Sequence, residues 1–151
     1  GLLNPAGSGK FVVPIRITAT YVSGTGIVNG LCLGYVSGGG AGVTAGAITA
    51  ATTITPVPAH LGSAAGKAIF MSAGITCTAP TRYLSLGQNT EVGATLAAVS
   101  NTPLIYDFDG LSVIPPTYAI FIAADITGIT AVYSFTIIYA EVGVDVVNLG
   151  W

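Results

Sequence analysis

Residues 17–66 carry no charged side chain, yet glycine and proline cut the stretch at Gly24, Gly26, Gly30, Gly38, Gly39, Gly40, Pro56 and Pro58. So apolar a run suggests a membrane helix, but breakers at this density stop any helix long enough to cross a bilayer. The best helical candidate, residues 59–70, still contains Gly62 and Gly66, each costing about 1 kcal/mol relative to alanine. The backbone must find its hydrogen bonds in strands instead.

Strand patterns are present along the chain, with β-branched and aromatic residues recurring at period two between Gly, Pro, Asn and Ser punctuation. Residues 15–21 place Ile15, Ile17, Ala19 and Tyr21 on one face and Arg16, Thr18 and Thr20 on the other, the pattern of a half-buried antiparallel strand. A second strand is predicted over residues 27–36. Residues 37–63, rich in Gly, Ala and Thr, suit a long loop or an edge excursion. Short strands follow at residues 67–71, 75–78 and 82–86. Residues 104–108 and 111–114 flank Asp109-Gly110, a tight-turn signal, and Pro115-Pro116 ends that hairpin. Residues 118–126 and 130–140 read as a C-terminal hairpin in the core, with Ala131, Tyr133, Phe135, Ile137 and Tyr139 facing inward. The opposite face, Val132, Ser134, Thr136 and Ile138, is half apolar and fits contact with a second sheet or subunit. About eight strands with mixed connections predict an all-β fold, an antiparallel two-sheet sandwich that is jelly-roll-like. One domain is expected over residues 1–141, with an N-terminal arm over residues 1–10 and an apolar tail over residues 142–151.

Charge bears on partners. Four cations and six acids give a net charge of −2, which supplies no footprint for nucleic acid. Only 7% of residues are charged, against about 25% in an ordinary domain, and mean hydropathy is +0.78. A folded monomer of this size exposes on the order of 7,000 Å², so most of the exterior must be covered by neutral groups or by other subunits. Exposed apolar patches beyond a few hundred Å² usually mark interfaces. Cys32 and Cys77 fit two buried thiols, with a disulfide left open.

The groups available for catalysis are few. His60 is the only histidine, and no acid lies near it in sequence. Gly7-Ser8-Gly9-Lys10 resembles the end of a phosphate loop, but Asn4 stands where the first glycine belongs and Phe11 where a Ser or Thr would hold magnesium. It reads as a turn launching the first strand. Asp107-Phe108-Asp109-Gly110 lacks the later oxygen ligands of a calcium loop and reads as a hairpin turn. No spacing among the acids suggests a paired-carboxylate site. The sequence therefore assigns no catalytic, cofactor-binding or metal-binding residue, and predicts no enzyme and no cofactor.

The end of the sequence is more informative. Val144, Val146, Val147, Leu149 and Trp151 make residues 142–151 largely apolar, fit either to add a strand to the chain's own sheet or to dock on a neighbour. The opening Leu3-Asn4-Pro5-Ala6-Gly7-Ser8-Gly9-Lys10 and the later Leu111-Ser112-Val113-Ile114-Pro115-Pro116-Thr117-Tyr118-Ala119-Ile120, with the strand ending Tyr139-Ala140-Glu141, resemble small virion proteins of tailed bacteriophages. The resemblance implies a head decoration or cement protein: a jelly-roll-like subunit, often trimeric, made in the host bacterial cytoplasm and seated on the outer surface of the capsid. Its partners would be further copies of itself and the major capsid protein, with neither nucleic acid nor membrane involved. Candidate contact residues for those interfaces are Leu2, Leu3, Phe11, Val132, Ile138, Val144, Val146, Val147, Leu149 and Trp151. The competing expectation is a receptor- or glycan-binding module of a phage tail or fibre.

Overall fold

The computed structural model describes residues 1–23, 29–37, 48–49, 52–54, 56–57, 65–73, 76–77, 81–89, 103–124 and 132–143. Among these residues there is no helix, and none is therefore long and apolar enough to cross a membrane. The strands are β1 (Leu2–Leu3), β2 (Lys10–Ser23), β3 (Asn29–Ser37), β4 (Ile48–Thr49), β5 (Thr52–Ile54), β6 (Ile69–Ala73), β7 (Thr76–Cys77), β8 (Thr81–Asn89), β9 (Leu104–Asp107), β10 (Tyr118–Ala124) and β11 (Val132–Gly143). Six of them form one sheet in the order β5-β6-β1-β10-β3-β8, and three form a second in the order β11-β2-β9. A short β4-β7 pair stands outside both, and every pairing is antiparallel.

The fold is an all-β two-sheet sandwich. Leu2, Leu33 and Ile120 from the larger sheet pack with Val12 and Ile17 from the smaller, around Phe108 and Ile114. The chain passes from one sheet to the other between β8 and β9, β9 and β10, and β10 and β11, which wraps the sandwich in a jelly-roll-like manner. The larger sheet is apolar on both faces: Leu3, Val36, Met71, Ala119 and Phe121 form a second buried cluster on its far side.

Three expectations are corrected. Residues 1–10 are not a free arm, because β1 lies inside the larger sheet, pairing β6 through Leu2↔Phe70 and β10 through Leu2↔Ile120. A two-residue strand shows no alternation, so periodicity could not reveal it. The C-terminal hairpin does not form: β10 pairs β1 and β3, whereas β11 pairs β2 in the other sheet. Alternation reports which face is buried and not which strand lies alongside. With Ala119 and Phe121 on one face and Ile120 on the other, β10 suits the middle of a doubly covered sheet. Finally, Asp109-Gly110 makes the expected turn but no hairpin. Asp109 and Gly110 both have positive φ (50° and 76°) and the Leu111 N–H donates to the Phe108 carbonyl at 2.8 Å, the geometry of a type I′ turn. Beyond it, Ile114 bridges Val12 of β2 instead of returning along β9.

Asn4 ties these pieces together. Its Nδ2 donates to the carbonyls of Lys10 and Ile114, each at 2.8 Å, joining the start of β2 to the segment before β10. Its backbone N–H donates to the Tyr118 carbonyl (2.9 Å) and its own carbonyl accepts from Thr117 (2.8 Å). Thr117 has a φ of 74° at the third position of the turn closed by Tyr118 N–H to Pro115 O, a conformation unfavourable for a β-branched residue. The Asn4 bond helps to hold it there. Asn4 is fully buried and its Oδ1 has no hydrogen-bond partner, a cost the four bonds must outweigh. Replacing Asn4 with Ala should cost about 1–3 kcal/mol by denaturant unfolding, since the Lys10 and Ile114 carbonyls each lose one of their two donors. Asn4→Asp, with the same shape but no donor, should cost at least as much at neutral pH. If both variants unfold at the parent midpoint, the clamp has no energetic weight.

Gly34 of β3 lies opposite Phe121 of β10. A Cβ on Gly34 would collide with Cζ and Cε2 at the far end of the Phe121 ring, so the glycine leaves the space that the ring fills. Gly34→Ala should therefore destabilise the fold by about 1–3 kcal/mol, the range of overpacking, although alanine is the better strand residue. Pairing it with Phe121→Leu should return part of that loss in a double-mutant cycle.

Candidate functional site

The smaller sheet turns one face to the core and the other outward, and the outward face carries the most distinctive surface among the described residues. Along β11 the exposure alternates: Tyr133, Phe135, Ile137, Tyr139 and Glu141 face inward, and Val132, Ser134, Thr136, Ile138 and Ala140 face outward. Antiparallel register sets the outward residues in rows across the sheet. One row is Ile138, Arg16 and Asp107; the next is Thr136, Thr18 and Ile105; Ser134 and Thr20 form a third. Val132 and Ile138 are 51% and 49% exposed, as the expectation of a half-apolar outer face requires.

Two β-bulges add to that face. The register between β11 and β2 shifts between Ile138 and Tyr139, so that Ile15 is the extra residue, and again between Val132 and Tyr133, where Val22 is extra. A bulge leaves its additional residue outside the ladder and increases the local twist. Ile15 and Val22 are accordingly exposed. This corrects the grouping of Ile15 with Ile17, Ala19 and Tyr21: the alternation changes phase at the first bulge, and the buried residues before it are Val12 and Pro14. Pro14 was the available signal, since proline within a strand is confined to edges and bulges.

The only charges in these rows neutralise one another. Arg16 Nε and Nη2 donate to the two carboxylate oxygens of Asp107 at 2.5 and 3.0 Å across the β2–β9 pair. The hydrogen bond from Arg16 holds the Asp107 carboxyl below the ordinary aspartate range, and Asp107 in turn raises the guanidinium. Both side chains are half exposed, so solvent screens the pair and it adds little stability. On the inner side, Glu141 Oε1 accepts the Ala68 N–H at 2.8 Å, fastening the segment before β6 onto β11. Burial, helped by the Glu141 charge, pushes the Tyr139 hydroxyl up to about 12, so it stays protonated at any physiological pH and supplies no base.

The remaining candidates are distributed as follows. Leu2 and Leu3 are 0% and 3% exposed within the chain's own core, so they are withdrawn from the contact set: inside the larger sheet they leave nothing for a partner to bury. Phe11 is half-buried in β2 opposite Val142. Val144, Val146, Val147, Leu149 and Trp151 lie outside the described residues, as does His60. Cys32 is buried in β3, and the side chain of Cys77 is outside the described set. Gly7 to Lys10 form a launching turn: Gly7 and Gly9 have positive φ, Ser8 N–H donates to Pro5 O, and Lys10 N–H donates to Ser8 Oγ at 3.2 Å. Among the described residues no three His, Cys, Asp or Glu side chains converge as metal ligands would. Sequence reasoning missed Ile15, Val22 and Ile105 as members of the outer face: Pro14 signalled only the first bulge, and strand neighbours have no one-dimensional signature.

No protein-family model matches the chain, and neither a curated protein nor a solved structure matches it. The arrangement must be interpreted on its own geometry. It is an exposed face of hydroxyls and β-branched side chains around one closed ion pair.

The pair makes one pH-dependent expectation. A carboxyl held low in the fold stabilises it above the ordinary aspartate pKa, and that contribution is lost as pH falls through the folded value. Carboxyl NMR should find Asp107 titrating below the ordinary aspartate value, and Arg16→Gln should move it back up. An unchanged Asp107 titration in Arg16→Gln would show that the pair is not formed in solution.

Proposed function

We propose that this chain is a structural virion subunit, a head decoration or cement protein that self-associates, as a homotrimer, and seats on the major capsid protein at the outer surface of the capsid. The observation that carries this reading is the outer face of the smaller sheet, where Ile15, Val22, Ile105, Val132 and Ile138 are exposed around a single self-neutralised ion pair. Such a face loses little by leaving water. Covering apolar surface gains about 25 cal/mol per Å², whereas desolvating unpaired charges costs several kcal/mol per ion.

The edge of that sheet supports the same reading. Among the described residues β11 is an outermost strand, twelve residues long, with Glu141 as its only charge and no proline. Proteins that must stay monomeric usually shorten, charge or break such an edge. A long edge of low charge, outermost among the described residues and beside a face of hydroxyl and β-branched side chains, fits strand addition by a neighbouring copy. Repeated over a capsid lattice, modest contacts of this kind hold by avidity, which suits reinforcement of a shell.

Sedimentation of the purified chain tests the first half of the proposal and should show an oligomer. Ile138→Lys, at a half-exposed position, should raise the subunit dissociation constant at least tenfold without changing the circular dichroism of the monomer. Reconstruction of phage particles carrying the protein tests the second half, with density for the sandwich expected on the outside of the head. A chain that stays monomeric at high concentration, or density confined to the tail, would overturn the proposal, and the latter would favour a receptor- or glycan-binding role.

A further inference from the structure

The outer face of the smaller sheet does not stop where β9 ends. Val12 and Ile114 exchange both backbone hydrogen bonds, at 3.1 and 2.8 Å, and both side chains are buried. Alternation then sets their neighbours Val13 and Val113 side by side facing outward, and Val113 is 52% exposed. With Ala140 opposite Val13, this makes a further row of Ala140, Val13 and Val113, separated from the row of Ile138, Arg16 and Asp107 by the bulged Ile15. Phe11 and Val142, both half-buried, continue the face by one more row. From Phe11 to Val22 the face is about 37 Å long, and three strands give it a width of up to about 14 Å. That is roughly 500 Å² in flat projection, to which the relief of the side chains adds, close to the lower end of the roughly 600–1,000 Å² that each partner contributes to a specific contact.

We infer that this whole face, from Val113 at one end to Val22 at the other, is covered by other copies of this chain. The inference rests on the self-association proposed above and gives it a surface. The chemistry of the face is complementary to itself. A hydroxyl both donates and accepts, so the rows of Thr18, Thr20, Ser134 and Thr136 can satisfy the same rows of another copy, as a face of like charges could not. Arg16 and Asp107 are already bonded to each other, so two such faces meet without an unpaired ion on either. The aliphatic members, Ile15, Ile138 and Val113 among them, gain from losing water whatever lies opposite. A charged partner surface would fare worse, because it would give up its hydration and find no free opposite charge on this face. Copies of the chain therefore use up the outer face, and seating on the capsid falls to another surface of the sandwich.

Hydroxyl-radical footprinting of the full chain, below and above the concentration at which it associates, tests the assignment without any substitution. Val22 and Val113, at opposite ends of the face, should both lose reactivity several-fold in the oligomer, while Ile54, half-exposed on β5 of the larger sheet, should keep its own. In sedimentation equilibrium, Val22→Lys and Val113→Lys should each raise the subunit dissociation constant at least tenfold with the circular dichroism of the monomer unchanged, and Ile54→Lys should leave it where it was. Protection at one end only, protection centred on Ile54, or an oligomer that either face lysine leaves intact overturns this assignment while self-association itself stands. A parent chain that remains monomeric at high concentration removes the assignment together with the reading on which it rests.

Discussion

The larger sheet is continuous because two residues, Leu2 and Leu3, stand between β6 and β10; without them it would divide into β5-β6 and β10-β3-β8. So short a strand makes few ladder bonds and cannot hold its place by pairing alone. Asn4 supplies the rest, with four hydrogen bonds to Lys10, Ile114, Thr117 and Tyr118 in the one residue that follows the strand. Lys10 begins the smaller sheet, Ile114 bridges onto it, and Tyr118 begins β10 in the larger one. A single buried residue thus fixes how the two sheets meet. The cost is visible in the orphaned Oδ1 and in the positive φ of Thr117, both at this junction. Such strain persists only where the surrounding structure over-determines it, as the four bonds of Asn4 do here.

Much of the fold was legible from alternation. The phase of β2 from Arg16 onward and the inward face of β11 were both readable, because one wet and one dry face imposes a strict two-residue period. The Asp109-Gly110 turn was legible because few residue pairs accept positive φ at two successive positions. What failed was partnership. The sequence around residues 118–140 shows two good strands in succession, and adjacency in the chain suggested adjacency in a sheet. A wrapped sandwich sends consecutive strands to opposite sheets, and nothing within either strand encodes that choice. The better clue was compositional: with Ile120 dry on one face and Ala119 and Phe121 dry on the other, β10 belonged in a sheet covered on both sides.

The candidate face was only partly legible for the same reason. Val132 and Ile138 could be placed outward from the β11 pattern alone. Ile105 could not, because its position beside Thr18 and Thr136 depends on β9 pairing with β2 across a long sequence separation. Ile15 and Val22 face outward because of bulges, which break the very regularity on which the reading depends. Leu2 and Leu3 erred in the opposite direction. As two apolar residues at the start of the sequence they suggested a docking arm, and the sheet uses them as its centre.

In the proposed role, the low charge content and the threonine-rich rows have one explanation. A face destined to be covered must first survive in water and then surrender it cheaply. Charges satisfy the first demand and fail the second, because each unpaired ion taken from water costs several kcal/mol. Large apolar patches satisfy the second and fail the first. Hydroxyls flanking isolated β-branched residues meet both: Thr18, Thr20, Ser134 and Thr136 keep the middle of the face wet, and their desolvation is modest once each finds a partner. The apolar members sit around them at Ile15, Val22, Ile105, Val132 and Ile138, where two bulges bend the strand that bears the first two. The one ion pair on the face is already closed by two hydrogen bonds, so covering it strands no lone charge. A face built this way needs few ionised groups, and that scarcity is what first distinguishes the sequence.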